Sequence, residues 1–130
     1  MGINSTNAAY VQGTITAPTI VQTVNTQSVT SYTAVSSDAA SVVLMDSSNS
    51  NTFFIPTNAS VPFAIGASLN VVRYNTGSTT IQAATTSTTT ILCAGAAQTT
   101  PTNPMLRQRY SAATCLKVAT DTWIVIGDVY

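Results

Sequence analysis

The run Tyr110-Ser-Ala-Ala-Thr-Cys-Leu-Lys-Val-Ala-Thr-Asp-Thr-Trp-Ile-Val-Ile-Gly-Asp-Val129 sets two apolar segments on either side of a short polar break. Ala113 to Ala119 and Trp123 to Val129 are rich in β-branched and aromatic residues, and Thr120-Asp121-Thr122 supplies turn chemistry between them, so the stretch reads as a β-hairpin. Strand alternation puts Trp123 and Val125 on one face and Ile124 and Ile126 on the other, and neither face suits water. Leu116, Val118, Trp123 and Val125 are the expected core of this hairpin, with cover required on both sides.

Upstream, the same strand-and-turn grammar repeats. Ser41 to Asp46 and Thr52 to Ile55 flank the polar run Ser47-Ser-Asn-Ser-Asn51, which predicts a second hairpin that Pro56 closes for want of a ladder donor. Ala67 to Tyr74 and Thr79 to Ala83 flank Asn75-Thr-Gly-Ser78 and predict a third. Phe63 and Ile65 share a face before Gly66, which marks a turn or bulge. The threonine run 85 to 90 leads into a strand at Ile91-Leu92-Cys93, and Ala94 to Pro104 is a loop that its prolines keep irregular. No amphipathic helix of ten or more residues is visible. Eight to ten short strands predict an all-β domain, an antiparallel β-sandwich or small barrel, over residues 37–130.

Residues 1–36 carry no charged side chain. Their apolar positions, Tyr10, Val11, Ile15, Ile20, Val21 and Val24, are costly to leave in water, so the segment is expected either to supply edge strands or to dock as an extended arm on a partner.

Charged residues make up only 6% of the chain, with a net charge of zero, against roughly 25% in an ordinary soluble domain. Threonine takes up 24 positions in their place. So few charges leave no electrostatic footprint for nucleic acid and no polybasic patch for a membrane. A neutral, hydroxyl-rich surface suits life packed against copies or partners, or a secreted β domain. Met1-Gly-Ile-Asn-Ser-Thr-Asn lacks a basic region followed by an apolar run, so synthesis in a cytoplasm is expected. Buried thiols are then favoured over a bridge between Cys93 and Cys115.

The chain has no histidine and no glutamate, which removes the commonest general bases and most metal-site patterns; no catalytic residue, metal or cofactor is expected. Asp38, Asp46, Asp121 and Asp128 read as strand-end residues bonded to local backbone. Asp46-Ser-Ser-Asn-Ser-Asn51 fails as a calcium loop, with Asn51 in place of the glycine and Thr57 in place of the closing acid. Asn4-Ser-Thr6 and Asn58-Ala-Ser60 match the glycosylation pattern without a secretory signal. Arg107-Gln-Arg109-Tyr110 is either a small cation-and-aromatic patch or a charge-guarded edge.

The closing stretch, with Tyr-Ser-Ala-Ala-Thr at 110–114, Thr120-Asp121-Thr122-Trp123 and Gly127-Asp128, resembles the last hairpin of small β modules in tailed-phage virion proteins: head decoration proteins, head fibres and tail fibres. Asn51-Thr-Phe-Phe-Ile-Pro56, Val61-Pro-Phe-Ala-Ile-Gly66, Leu69-Asn-Val-Val72 and Thr79-Thr-Ile81 follow the order of such modules, so the resemblance spans about residues 38–129. It implies a homotrimer on the capsid surface of a virion, with the major capsid protein as partner and a cement role. The alternative it implies is a trimeric fibre module that binds a host-surface glycan.

Overall fold

The computed structural model describes residues 21–94 and 102–130. The protein is all-β, and its described residues form nine strands and a short 3-10 helix, Ser36–Ala40. The strands are β1 (Thr23–Gln27), β2 (Ser31–Thr33), β3 (Ser41–Met45), β4 (Asn51–Ile55), β5 (Ser68–Arg73), β6 (Thr79–Ala83), β7 (Thr90–Leu92), β8 (Ala112–Ala119) and β9 (Thr122–Gly127). A six-stranded sheet runs β1-β3-β5-β8-β9-β7, and a three-stranded sheet runs β2-β4-β6.

Through β6, successive strands alternate between the two sheets. β1, β3 and β5 lie parallel in one, while β2, β4 and β6 lie parallel in the other. The chain thus winds as three stacked coils, β1-β2, β3-β4 and β5-β6. Two expectations are corrected here. Residues 41–55 and 67–83 are not hairpins, and the sheets are not antiparallel throughout, because among the described strands antiparallel pairing is confined to β5-β8 and β8-β9. The polar runs after β3 and β5 turn corners from one sheet to the other and bond to the coil beneath. Asp46 N–H donates to the Gln27 carbonyl at 2.8 Å, Tyr74 N–H to that of Met45 at 3.0 Å, and Gly77 N–H to that of Ser47 at 3.0 Å. Side chains repeat the stacking, with Asn75 Nδ2 donating to Asp46 Oδ1 at 2.8 Å and Thr79 Oγ1 to Asn51 Oδ1 at 2.7 Å.

Strict alternation builds the core. Val43, Met45, Leu69 and Val71 from the large sheet meet Phe53, Ile55, Ile81 and Ala83 from the small one in a single apolar cluster. The closing hairpin is present as read, and Trp123 and Val125 face inward. Its first strand differs. Leu116 is half-buried and Val118 is exposed, so both leave the core positions expected of them, and Ala113, Cys115 and Lys117 point inward instead. Trp123 packs edge-on against Phe63, with centroids 5.6 Å apart and planes at 87°.

The two ends of the coil stack differ. Beyond β6, Ile81 N–H donates to the Pro104 carbonyl at 2.8 Å and Leu106 N–H to that of Thr79 at 3.0 Å, which closes that edge. At the opposite end β1 and β2 are the outermost strands of their sheets. Neither carries a charge, proline or bulge, the features that usually guard an edge.

Candidate interaction surface

The outward face of the six-stranded sheet is apolar or hydroxylic apart from the carboxamide of Asn70. Register carries one row across five strands, Val24, Val42, Asn70, Thr114 and Ile126. A second row holds Thr26, Leu44, Val72 and Ala112, and a third holds Ser68, Leu116, Ile124 and Leu92. None of these thirteen positions is charged. Val24 and Ile126 are each 59% exposed and Leu92 is 47% exposed, so the rim of the patch lies open while Leu44, Val72 and Ile124 are half-buried. Six strands at a spacing of about 4.8 Å make the face roughly 24 Å across, wide for an apolar surface on a monomer.

A second cluster lies where β5 leaves the sheet, and three of the chain's four cations gather there. Arg73 Nη2 donates to the Thr76 carbonyl at 2.7 Å, and Nη1 reaches the carbonyls of Leu106 and Arg107 at 3.5 and 3.4 Å. Its buried Nε makes no hydrogen bond. Arg107 pairs with Asp128 at 2.9 Å and lies 5.5 Å from the Tyr130 ring centre. Arg109 stacks 4.8 Å from the Tyr110 ring, which meets Tyr74 edge-on at 6.0 Å. Tyr110 holds φ at +73°, a conformation that costs a bulky residue about 1–2 kcal/mol. It is fixed there by its N–H bond to the Arg73 carbonyl at 2.6 Å. Exposed rings beside a guanidinium form a surface able to stack on a planar or sugar ring.

The four aspartates lie apart, each engaged with different groups. Asp38 is buried under β1 and β2; Asp46 and Asp128 hold corners; Asp121 accepts the Asn58 N–H at 2.8 Å. Among the described residues no three His, Cys, Asp or Glu side chains converge as metal ligands would. Cys93 and Cys115 are both buried thiols, separated by β9, because β7 and β8 lie on its two sides. Two strand spacings, about 9.5 Å, exceed the reach of a disulfide. Burial pushes the Cys115 thiol up to about 12 from the ordinary 9.0, with the neighbouring Cys93 adding to the effect.

Of the residues expected to touch a partner, Tyr10, Val11, Ile15 and Ile20 lie outside the described residues. Val21 is exposed, and Val24 stands on the open face of β1. Ile126, Leu92 and Leu44 complete that surface, beyond the contacts expected from the sequence. Their signal was the second apolar face of each strand. No protein-family model matches this chain, and no curated protein matches it.

Proposed function

We propose that the protein is a non-enzymatic component of a phage virion, a decoration protein that assembles as a homotrimer on the outer capsid and cements the head. The observation behind this is the charge-free outer face of the six-stranded sheet, which suits burial against a second copy better than water. A standard interface removes about 800 Å² per partner, and a charge-free face roughly 24 Å across has the width to contribute to one. The edge of β1 has strand-pairing groups to offer a capsid subunit. Multivalent docking then makes weak single contacts cumulatively strong.

Sedimentation velocity on the purified chain tests the assembly: an oligomer is expected, and Ile126→Lys is expected to disperse it while leaving a folded monomer. A wild-type protein that stays monomeric at micromolar concentration overturns the trimer. Capsids prepared with and without the protein test the cement role, which predicts earlier rupture by heat or low salt when it is missing. Truncation for such work must stop at residue 20, because Asn25 of β1 bonds to buried Asp38.

A fibre-type module that binds a host-surface glycan is the alternative, favoured by the Tyr74, Arg109 and Tyr110 cluster. Glycan-array binding that disappears in Tyr110→Ala supports it; Trp123, at 1% exposure, takes no part.

A further inference from the structure

Lys117 is a buried amine without a carboxylate partner. It is 2% exposed, and its Nζ donates to Asn58 Oδ1 at 2.5 Å and to the Phe63 carbonyl at 2.7 Å. The Trp123 ring lies 6.0 Å from Nζ, and Phe63 meets that ring edge-on. A fully buried lysine is rare unless it is paired, and a short amine-to-carboxamide contact walled by two aromatic rings has a chemical use. A carbonyl bond of 1.23 Å places the Asn58 Cγ within about 3.7 Å of Nζ, whichever way the amide is turned. That is close to the separation of reacting atoms in a near-attack arrangement.

We infer that Lys117 and Asn58 join as an intramolecular isopeptide. Nζ attacks the Asn58 Cγ, the Nζ–Cγ bond forms, and the Cγ–Nδ2 bond breaks. An ammonium has no lone pair to attack with, so Nζ gives up one proton first and a second as the amide N–H is left; both finish on the departing nitrogen, which leaves as ammonium. No oxidant or outside reactant takes part. Asp121 is assigned the proton transfer, since its Oδ1 accepts the Asn58 N–H at 2.8 Å and the Thr89 hydroxyl at 3.3 Å, fixing a carboxylate to the same loop. Main-chain bonds hold the reactants in register from the other side: Lys117 N–H donates to the Ala67 carbonyl at 2.9 Å, and Gly66 N–H to the Lys117 carbonyl at 2.8 Å. The Trp123 and Phe63 side chains exclude water, which strengthens the polar interactions and disfavours hydrolysis of the carboxamide. The product staples the β4-β5 connection to β8.

Mass spectrometry of the folded full-length protein decides the matter. The expected mass is lower than that of the sequence by one ammonia. Trypsin is expected to leave residues 1–73 joined to residues 110–130, with cleavage after Lys117 lost, because an acylated lysine is not a trypsin site. Lys117→Met and Asn58→Ala are expected to keep the full mass. Asp121→Asn retains an oxygen for the Asn58 N–H, so it is expected to fold, shown by an unchanged circular dichroism spectrum, yet stay unjoined. Recovery of residues 1–73 and 110–117 as separate, unmodified peptides from aged wild-type protein overturns the proposal. So does an ammonia loss that maps to a cyclised asparagine within one peptide.

Discussion

The Tyr32 hydroxyl donates to Asp38 Oδ2 at 2.6 Å, and this bond ties β2 to the helix that carries the chain back to β3. Asp38 also accepts Asn25 Nδ2 and the Val35 N–H, each at 2.9 Å, at a site only 1% exposed. One buried carboxylate thus gathers both strands of the first coil, the outermost of the described strands at that end of the stack. Asp38→Ala leaves three donors without their acceptor and is expected to lower stability by about 3 kcal/mol in urea unfolding, with Asp38→Asn intermediate.

The same bond sets an alkaline limit. Desolvation, and then the hydrogen bond to Asp38, push the Tyr32 phenol from 10.0 to about 12. The folded state therefore favours the protonated phenol, so this contribution is complete below pH 10 and is lost as pH rises through 12. Denaturation profiles between those values are expected to fall less steeply in Tyr32→Phe; an identical slope would count against the assignment.

At the opposite end of the fold Asp128 contributes to the acid limb. The Ser111 hydroxyl bond and then the Arg107 guanidinium hold its carboxyl below the ordinary 3.8. The depressed value means that the stabilisation is present above pH 3.8 and lost as pH falls through the folded value. Ser111→Ala is expected to move the acid midpoint upward, and Asp128→Asn to flatten that limb.

Cys115 is expected to resist alkylation in the native state. With its thiol raised from 9.0 to about 12, the thiolate fraction at neutral pH falls roughly a thousandfold. Iodoacetamide labelling with and without urea reads this directly. Rapid labelling of Cys115 in the folded protein would be inconsistent with a buried site.

Two glycines separate crowding from backbone conformation. A Cβ on Gly77 would come within 2.0 Å of the Asn49 carbonyl oxygen and 2.5 Å of that of Ser47, both main-chain atoms of the corner below. Gly77→Ala is expected to cost about 2–3 kcal/mol. Gly66, at φ +95° with nothing within 4 Å of a Cβ, is expected to cost only about 1 kcal/mol as Gly66→Ala. Equal losses would mean that the corners do not stack as closely as described.

The sequence by itself determined that the protein is all-β, where most strands start and stop, that Ala113 to Ala119 and Trp123 to Val129 form a hairpin, and that Trp123 and Val125 face inward. Those features follow from side-chain alternation and turn residues, which are local properties of the chain. Partner choice is not local. Ser41–Met45, a polar run and Asn51–Ile55 can describe a hairpin or a corner between two sheets equally well, and only bonds such as Asp46 N–H to the Gln27 carbonyl select the corner. The face of β8 was also undecidable from hydropathy, which favours Leu116 and Val118 inward. Lys117 took an inward position because Asn58 and the Phe63 carbonyl, 59 and 54 residues away in the chain, offer oxygens that satisfy its ammonium. Buried polar groups are placed by partners that the fold brings together, and the tertiary structure alone supplies them.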